Sequence, residues 1–506
     1  MEENIPITPE TPPIPEPAPR FSGKRELIFC LITLITGLAM ANFVIFGGFN
    51  LGFALVSVLS IVSSVWYLHA SGHRGDWYTR SLLVLSLIIA ASFAYSSDVF
   101  VKFVLFFFLV TGVNLSLCLL AGQNRRHPGG LRSLLDAPRA FFTFGIGKMG
   151  FSFRNLRLFF TDSGESSRKA GAILVGLAIA LPVLVVMIPL LMSSDAAFEG
   201  LMDLLPEFEL SETYVTVLWG AFLFAMLYSR STALHQSMDA KIPEIPGKGL
   251  HLFTVNTLLS MVCLLYGVYL FSQIAYFSGG FLGILPDGYS VAEYARRGFF
   301  EMAVLSGINL GLVTFGIGMV SRTGDVKPST KYLCLAIGLV TLFLIGTSWA
   351  KMLLYIGTYG LTRLRVLTMA IITFLAITTV LVSLWLFLPR LEYMRFVVLS
   401  AMLIGAVVVW MDVDTVVARY NVNGYLCGKL ESVDVEHLSN LGSGAIPYLD
   451  KLAECDDLQV AHRAELFLDS AFRYEIHEPE DFREWNYLTH AALSHADESF
   501  REVKSN

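Results

Sequence analysis

The residues most able to do chemistry are charged side chains placed at the ends of long apolar runs. Residues 289–301 read YSVAEYARRGFFE and carry Glu293, Arg296, Arg297 and Glu301. Glu293, Arg297 and Glu301 are spaced at i, i+4 and i+8, so on a helix they share one face and alternate in charge. An ionisable residue inside a bilayer is a functional hypothesis by default. The alternative is a self-neutralised helix entry that anchors a membrane span.

A second polar group follows a later apolar run. Residues 355–365 read YIGTYGLTRLR and carry Tyr359, Arg363 and Arg365. Tyrosine suits the membrane interface, but two arginines on the outer side run against the usual cytoplasmic bias of positive charge. They need either an acidic partner or an anionic ligand, because arginine binds carboxylate and phosphate bidentately. The acids considered as partners are Glu293, Glu301, Asp412 and Asp414.

A third polar group begins where the last apolar run ends, and it contains Asp412, Asp414, Arg419 and Asn421. With an odd number of spans, all three groups lie on the same side of the membrane. We therefore expect one outer-face polar cluster. It is either an ion-pair network that ties the C-terminal tail to the bundle or a site for an anionic or sugar-like ligand.

The elements that position these residues are predicted membrane helices. The chain is 54% hydrophobic and 15% charged, whereas a soluble protein carries about 25% charged residues. A span needs about 20 mostly apolar residues, and eleven segments qualify. The sequence predicts an all-α polytopic transmembrane bundle of about eleven spans with a small C-terminal helical domain. The spans are residues 27–45, 49–68, 81–97, 99–121, 170–192, 214–229, 252–278, 298–320, 332–349, 366–388 and 395–411.

The distribution of Lys and Arg sets the predicted orientation. With the N-terminus inside, 22 of the 36 basic residues fall on the cytoplasmic side and 6 on the outer side, with 8 in the tail. Cationic loops stay in the cytoplasm, so eleven spans place the tail outside. The weakest points are the short turns at Gly47–Gly48 and at Asp98. If either helix pair fused into one bent segment, the tail would change sides.

Two segments flank the transmembrane bundle of residues 27–411, and one long loop lies within it. Residues 1–26 are proline-rich and predicted to be disordered. Residues 412–506 form an acidic tail with 19 acids and 8 bases, a balance of −11, and helical spacing in residues 433–441, 445–453, 460–472 and 480–492. Residues 131–160 mix aromatic residues with arginines. They either contact anionic lipid or, as we favour, form an ordinary cationic loop packed under the bundle.

Several chemistries are not predicted. The chain has no nucleotide-binding or zinc-protease motif, and its charge pattern does not favour nucleic acid. His69 and His73 are four residues apart, but Gly72 and the end of the span argue against a metal site. No cofactor, metal or catalytic residue is predicted. Cys427 and Cys455 pair only if the tail faces an oxidising compartment.

Three stretches carry a resemblance to a known family: EYARRGFF at 293–300, YGLTRLRV at 359–366 and VARYNV at 417–422. They resemble DUF4173, a bacterial membrane family of unknown function related to DUF4153. The resemblance implies a bacterial inner-membrane protein. It brings no activity, cofactor or site residue with it.

Three functional hypotheses follow from these observations. The leading one is a transporter-like or accessory component with an extracytoplasmic polar site. The second is a membrane sensor or scaffold that acts through its tail, with unknown protein partners. The third is a membrane enzyme acting on a lipid-linked substrate, with Glu301 or Asp412 as acid or base. It ranks last because no catalytic group has diagnostic spacing.

Overall fold

The computed structural model describes most of the bundle and tail. The described residues are 24–123, 131–152, 154–155, 187, 190–194, 210–236, 250–281, 299–320, 326–474, 479 and 481–495. Within these residues the chain is helical and contains no strand. The predicted all-α polytopic class is confirmed. The predicted disorder of residues 1–26 falls almost wholly outside the described part.

Ten of the eleven predicted segments hold a helix, and the other, residues 170–192, lies almost entirely outside the described residues. The helices are α1 Lys24–Gly47, α2 Leu51–Ala70, α3 Trp77–Ser92, α4 Val99–Leu120, α5 Leu210–Gln236, α6 Leu252–Phe281, α7 Phe299–Val320, α8 Pro328–Tyr359, α9 Arg363–Phe387 and α10 Tyr393–Trp410. All except α3 contain a stretch long and apolar enough to cross a membrane. The 16 residues of α3 rise about 24 Å, short of the hydrocarbon thickness of about 30 Å.

The two doubtful turns are true helix breaks. Gly48 has φ +65, a conformation that glycine adopts without steric cost, and it separates α1 from α2. Asp98 caps α4, because its Oδ1 accepts a hydrogen bond from the Val101 N–H at 2.9 Å. Neither helix pair therefore fuses into one bent segment.

The bundle is built in two halves joined by α10. One apolar core is formed by α1 to α5 with Met402, Ala406 and Val409 of α10. The other is formed by α6 to α9 with the opposite end of α10. In the first half α1 and α5 approach closely, since a Cβ at Gly37 would lie 2.6 Å from the Phe224 backbone nitrogen. This crossing forms part of the wall of an apolar cavity.

Residues 131–146 form a short irregular helical segment under the first half. Its Ala137, Ala140 and Phe144 are buried. Arg139 points into the protein and donates from Nη1 to the Gln123 carbonyl at 2.9 Å. The described part of this segment therefore packs under the bundle, whereas Arg154 is exposed.

The described part of the tail is helical. Its helices are α11 Val413–Leu426, α12 Val435–Ser439, α13 Ile446–Ala453, α14 Leu458–Tyr474 and α15, residues 487–495. Helix α11 was not predicted, because the chain leaving the last span was interpreted as a polar exit. Its buried Val413, Val417, Ala418 and Val422 join an apolar core shared with α8 and α9.

Reciprocal backbone hydrogen bonds dock the end of the tail onto the bundle. The first N–H groups of a helix lack partners within the helix, and those of Leu51 and Gly52 in α2 donate to the carbonyls of Trp485 and Arg483 at 3.0 and 3.2 Å. In return the Tyr487 N–H, at the start of α15, donates to the Ala94 carbonyl at 2.9 Å. The tail thus lies at the end of the bundle where α1 finishes, one helix length from Lys24.

Candidate functional site

An ion-pair network joins the tail to the bundle at Arg363. Its Nε and Nη2 bind the two carboxylate oxygens of Asp414, with Nη2–Oδ2 at 2.7 Å, and Nη2 also lies 3.5 Å from Oδ2 of Asp98. Asp414 is buried, and its Oδ2 also accepts from the Gly442 N–H at 3.1 Å. Arg363, Asp98 and Asp414, here called the junction triad, therefore connect α9, α4 and α11.

Asp414 was among the predicted partners of Arg363, and Asp98 was not. The sequence does hold a signal for Asp98, because an acid between two apolar runs suits a helix cap. That signal places it at a helix N-terminus without saying which cation it meets.

Asp412 is the N-cap of α11 and lies beside the triad. It accepts hydrogen bonds from the Thr415 hydroxyl and, at 3.2 Å, from the Thr415 N–H. Burial raises the pKa of Asp412, although the Thr415 hydroxyl lowers it, and the charge of Asp414 raises it further. Among the described non-glycine residues Asp412 alone has a positive φ, +47. Asp412 is thus a buried helix cap on a strained backbone, and its carboxylate is already engaged by Thr415.

Asn421 and Arg365 stabilise the turn between α8 and α9. Asn421 accepts from the Leu361 N–H at 2.7 Å and donates to the Leu361 carbonyl at 2.8 Å. Arg365 donates to the carbonyls of Tyr359 and Gly360 at the end of α8 and lies 4.1 Å over the Tyr355 ring. Cations at a helix C-terminus are favourable, so Arg365 has a structural role here.

Of the remaining predicted residues, those that the structure describes do not join this cluster. Glu301 is exposed on the first turn of α7, and the ion pairs described for Arg363 go to Asp98 and Asp414 instead. Arg419 and the Tyr359 side chain are also exposed. Glu293, Arg296 and Arg297 lie outside the described residues. The described part of the cluster is thus a network that ties the tail to the bundle.

A polar cleft of about 700 Å³ lies beside the network, between the tail and the end of the bundle. The bundle contributes Lys102, which is only 5% exposed and donates from Nζ to Asn50 Oδ1 at 2.6 Å. The tail contributes Glu436 and several hydroxyl and amide groups. Besides Lys102 and Glu436, the polar lining side chains are Asn50, Ser97, Ser439, Asn440, Ser443, Ser470, Asn486 and Thr489. The sequence does not single out Lys102 as a site residue, because the tail half of the cleft is distant in sequence.

Residues 81–452 match a family described as Domain of unknown function (DUF4153). The chain belongs to the DUF4153 family. The match runs from α3 to the end of α13, so it contains the junction triad and Lys102 but not α1, α2 or the last part of the tail. No curated protein and no solved structure matches the chain. The narrower resemblance to DUF4173 stays a prediction.

At the opposite end of the bundle, this DUF4153 protein brings together further polar groups whose contacts the sequence did not predict. Glu26 is 1% exposed and accepts from the Tyr67 hydroxyl at 3.1 Å. His73 Nε2 and His235 Nδ1 lie 3.0 Å apart. Burial lowers the pKa of His73, and the charge of the neighbouring His69 lowers it further. Both sets lie at helix ends and join residues far apart in sequence, so no local spacing indicates either contact.

Proposed function

We propose that this protein is a transporter-like or accessory component of the bacterial inner membrane that binds an anionic or sugar-like ligand in the cleft between tail and bundle. The observation that carries the proposal is the burial of the Lys102 ammonium in the wall of this polar cleft. The cleft volume falls within the range of about 300–1,000 Å³ typical of small-molecule sites. Lys102 supplies the charge for an anionic group, and the surrounding hydroxyls and amides suit ligand hydroxyls.

The proposed orientation follows from charge. The excess of Lys and Arg on the N-terminal side supports a cytoplasmic N-terminus, and the tail lies at the other end of α1. The cleft then faces the extracytoplasmic side.

We also propose that exposed positions within residues 131–160, such as Arg154, contact anionic lipid.

A ligand screen on the purified full chain tests the proposal. The protein in lipid nanodiscs is heated with a panel of small carboxylates, phosphates, sugar phosphates and neutral sugars. A ligand at a hundred times its dissociation constant stabilises the folded state by about 2.7 kcal/mol, which raises the unfolding temperature. We expect at least one such stabiliser, and we expect Lys102→Met to abolish or strongly reduce its effect.

The matched control is Lys429→Met, which removes an exposed tail lysine outside the cleft and should leave the ligand effect unchanged. A panel without any stabiliser contradicts the proposal. So does a stabiliser whose effect survives in Lys102→Met.

A sensor or scaffold role is the second candidate. It is favoured by the way the tail docks, because residues 483–488 exchange backbone hydrogen bonds with the start of α2 and with residues 94–95 after α3, beside the same cleft. A ligand held there contacts both parts and changes the stability of their docking. The enzyme hypothesis has less support, since Asp412 is engaged as a helix cap and Glu301 lies exposed.

A further inference from the structure

A second cavity, of about 590 Å³, lies inside the bundle between α1, α2, α4 and α5. Its walls are mainly apolar and include Phe53, Val113 and Leu223. The exposed rings of Trp219 and Phe222 stand among the lining residues, where a bilayer would surround them. The cavity therefore opens sideways toward hydrocarbon. It is separate from the polar cleft, with which it shares only Phe49.

Arg230 of α5 lies at the inner end of this cavity. The residue is 5% exposed, and its described hydrogen bond is a long one of 3.4 Å from Nη2 to the Ser64 hydroxyl. Its Nε has no hydrogen-bond partner, and no carboxylate in the described part of the chain pairs with it. A charge buried in a bundle without a partner is strongly unfavourable.

The same cavity also contains a buried hydrogen-bond acceptor without a partner, the side-chain oxygen of Asn114. Asn114 lines the same cavity and is 1% exposed. Its Nδ2 donates to the Val110 carbonyl at 2.7 Å, while its Oδ1 has no partner. Buried polar groups are normally hydrogen-bonded. An anionic head group would satisfy Arg230, and one that also carries a hydroxyl, as in a lysophospholipid, would satisfy Asn114 as well.

The shape of the cavity indicates what else the ligand contains. The lining residues of α5 run from Val215 to Arg230, a rise of about 22 Å along the helix. That exceeds half of a hydrocarbon core of about 30 Å. The length and apolar walls suit one long acyl chain lying along α5, with its tail toward Val215.

We propose that this cavity binds a single-chain anionic amphiphile from the bilayer, with its acidic head on Arg230 and its chain between α1, α2, α4 and α5. The head is a carboxylate, as in a fatty acid, or a phosphate, as in a lysophospholipid. Both meet a buried guanidinium through the same charge-assisted hydrogen bonds. This site is independent of the ligand proposed for the polar cleft.

Tryptophan quenching tests the proposal directly, because Trp219 lines the cavity. The full chain in detergent is titrated with brominated palmitate, whose bromine quenches indole fluorescence on contact. We expect saturable quenching that Trp219→Phe removes, leaving the signal of the other six tryptophans. Arg230→Met should weaken the apparent affinity by about tenfold or more, the usual loss for a hydrogen bond to a charged group. Arg230→Lys should restore part of it.

Controls separate the head from the chain. The methyl ester of brominated palmitate has no charge, so it should bind wild type and Arg230→Met equally. Arg80→Met removes an exposed arginine at the same end of the bundle and should leave the affinity for the acid unchanged. Unlabelled palmitate and lysophosphatidic acid compete in separate arms, and the stronger competitor identifies the head group.

Four results overturn the proposal. They are equal affinity of wild type and Arg230→Met for the acid, equal affinity of wild type for acid and ester, quenching that persists in Trp219→Phe, and competition by neither acid. If Arg230→Met does not fold, Ala41→Phe keeps Arg230 and fills the cavity at a lining residue that is 1% exposed. That variant should lose quenching, and full retention also overturns the proposal.

Discussion

In the junction triad, Arg363 at the end of the bundle pairs with two acids, Asp98 and Asp414, that lie far from it in sequence. The Arg363 side chain is 37% exposed, whereas that of Asp414 is 4% exposed. Solvent screens part of the attraction on the arginine side. The buried carboxylate, however, depends on Arg363 and on the Gly442 N–H to compensate its desolvation. The contribution of the triad to stability therefore comes mainly from pairing the buried carboxylate of Asp414.

Asp414→Asn should reduce the free energy of unfolding by about 1.5–3 kcal/mol, the usual size of a hydrogen bond to a charged group. The measurement is denaturant or thermal unfolding of the full chain in detergent, together with the rate of proteolytic cleavage within the tail. Faster cleavage of the tail is expected, because the variant loosens the attachment of α11 to α9.

Asp412→Asn is the matched control, since asparagine caps helices as well as aspartate does. The folded pKa of Asp412 is raised from its usual value of 3.8. Its contribution to stability is thus present below that unfolded value and lost as the pH rises through the folded pKa. At neutral pH this substitution should cost little or even stabilise. A loss as large as that of Asp414→Asn would refute the role given to the triad.

At the scale of elements, the turn between α8 and α9 connects the bundle to the tail. Gly360 has φ +74, and a Cβ there would overlap Oδ1 of Asn421. The same Asn421 side chain holds the backbone of Leu361 through two hydrogen bonds. Only glycine allows both the left-handed backbone and this close approach. The turn and helix α11 are therefore fixed together.

Gly360→Ala should destabilise the protein by more than Gly428→Ala, with unfolding of the detergent-solubilised chain as the measurement. Gly428 also has a positive φ, +67, but has open space around it, so its substitution carries only the backbone cost of about 1–2 kcal/mol. Gly360→Ala adds the displacement of Asn421. Equal losses for the two variants would show that the contact with Asn421 contributes nothing.

At the scale of the whole molecule, the tail and the start of α1 lie at opposite ends of the bundle. The junction triad, the backbone hydrogen bonds of residues 483–488 and the core shared by α8, α9 and α11 all lie at the tail end. The position of the tail at the end of the bundle opposite to Lys24 does not depend on the span predicted at residues 170–192. It follows from contacts between the tail and the end of α1, where a Cβ at Gly47 would lie 2.6 Å from that of Arg483.

Labelling of native cysteines tests the side of the tail. Cys427 is a free and exposed thiol in the tail, whereas Cys118 is buried in α4. With the tail outside, a membrane-impermeant thiol reagent should label intact spheroplasts, and Cys427→Ser should lose most of that labelling. Cys118→Ser should have no effect. Labelling of Cys427 only after lysis would place the tail in the cytosol and reverse the proposed orientation.

The sequence by itself determined the class of the protein and the approximate position of its helices. Apolar runs of span length predict helices because a bilayer offers no partner for an unpaired backbone group. Gly48 and Asp98 also marked their turns correctly, since both act through local backbone geometry. Helix α11 was missed because its apolar residues become a buried face only when α8 and α9 lie beside them.

The tertiary structure decided which groups meet. Arg363 had four candidate acids in sequence, and packing gave it Asp414 from that set and Asp98 from outside it. The polar cleft and the apolar cavity each combine side chains from distant helices, so neither has a local pattern. Ion pairing and burial depend on which side chains lie close together in space, and not on their separation along the chain. The sequence therefore specifies which polar groups need partners, and only the fold supplies them.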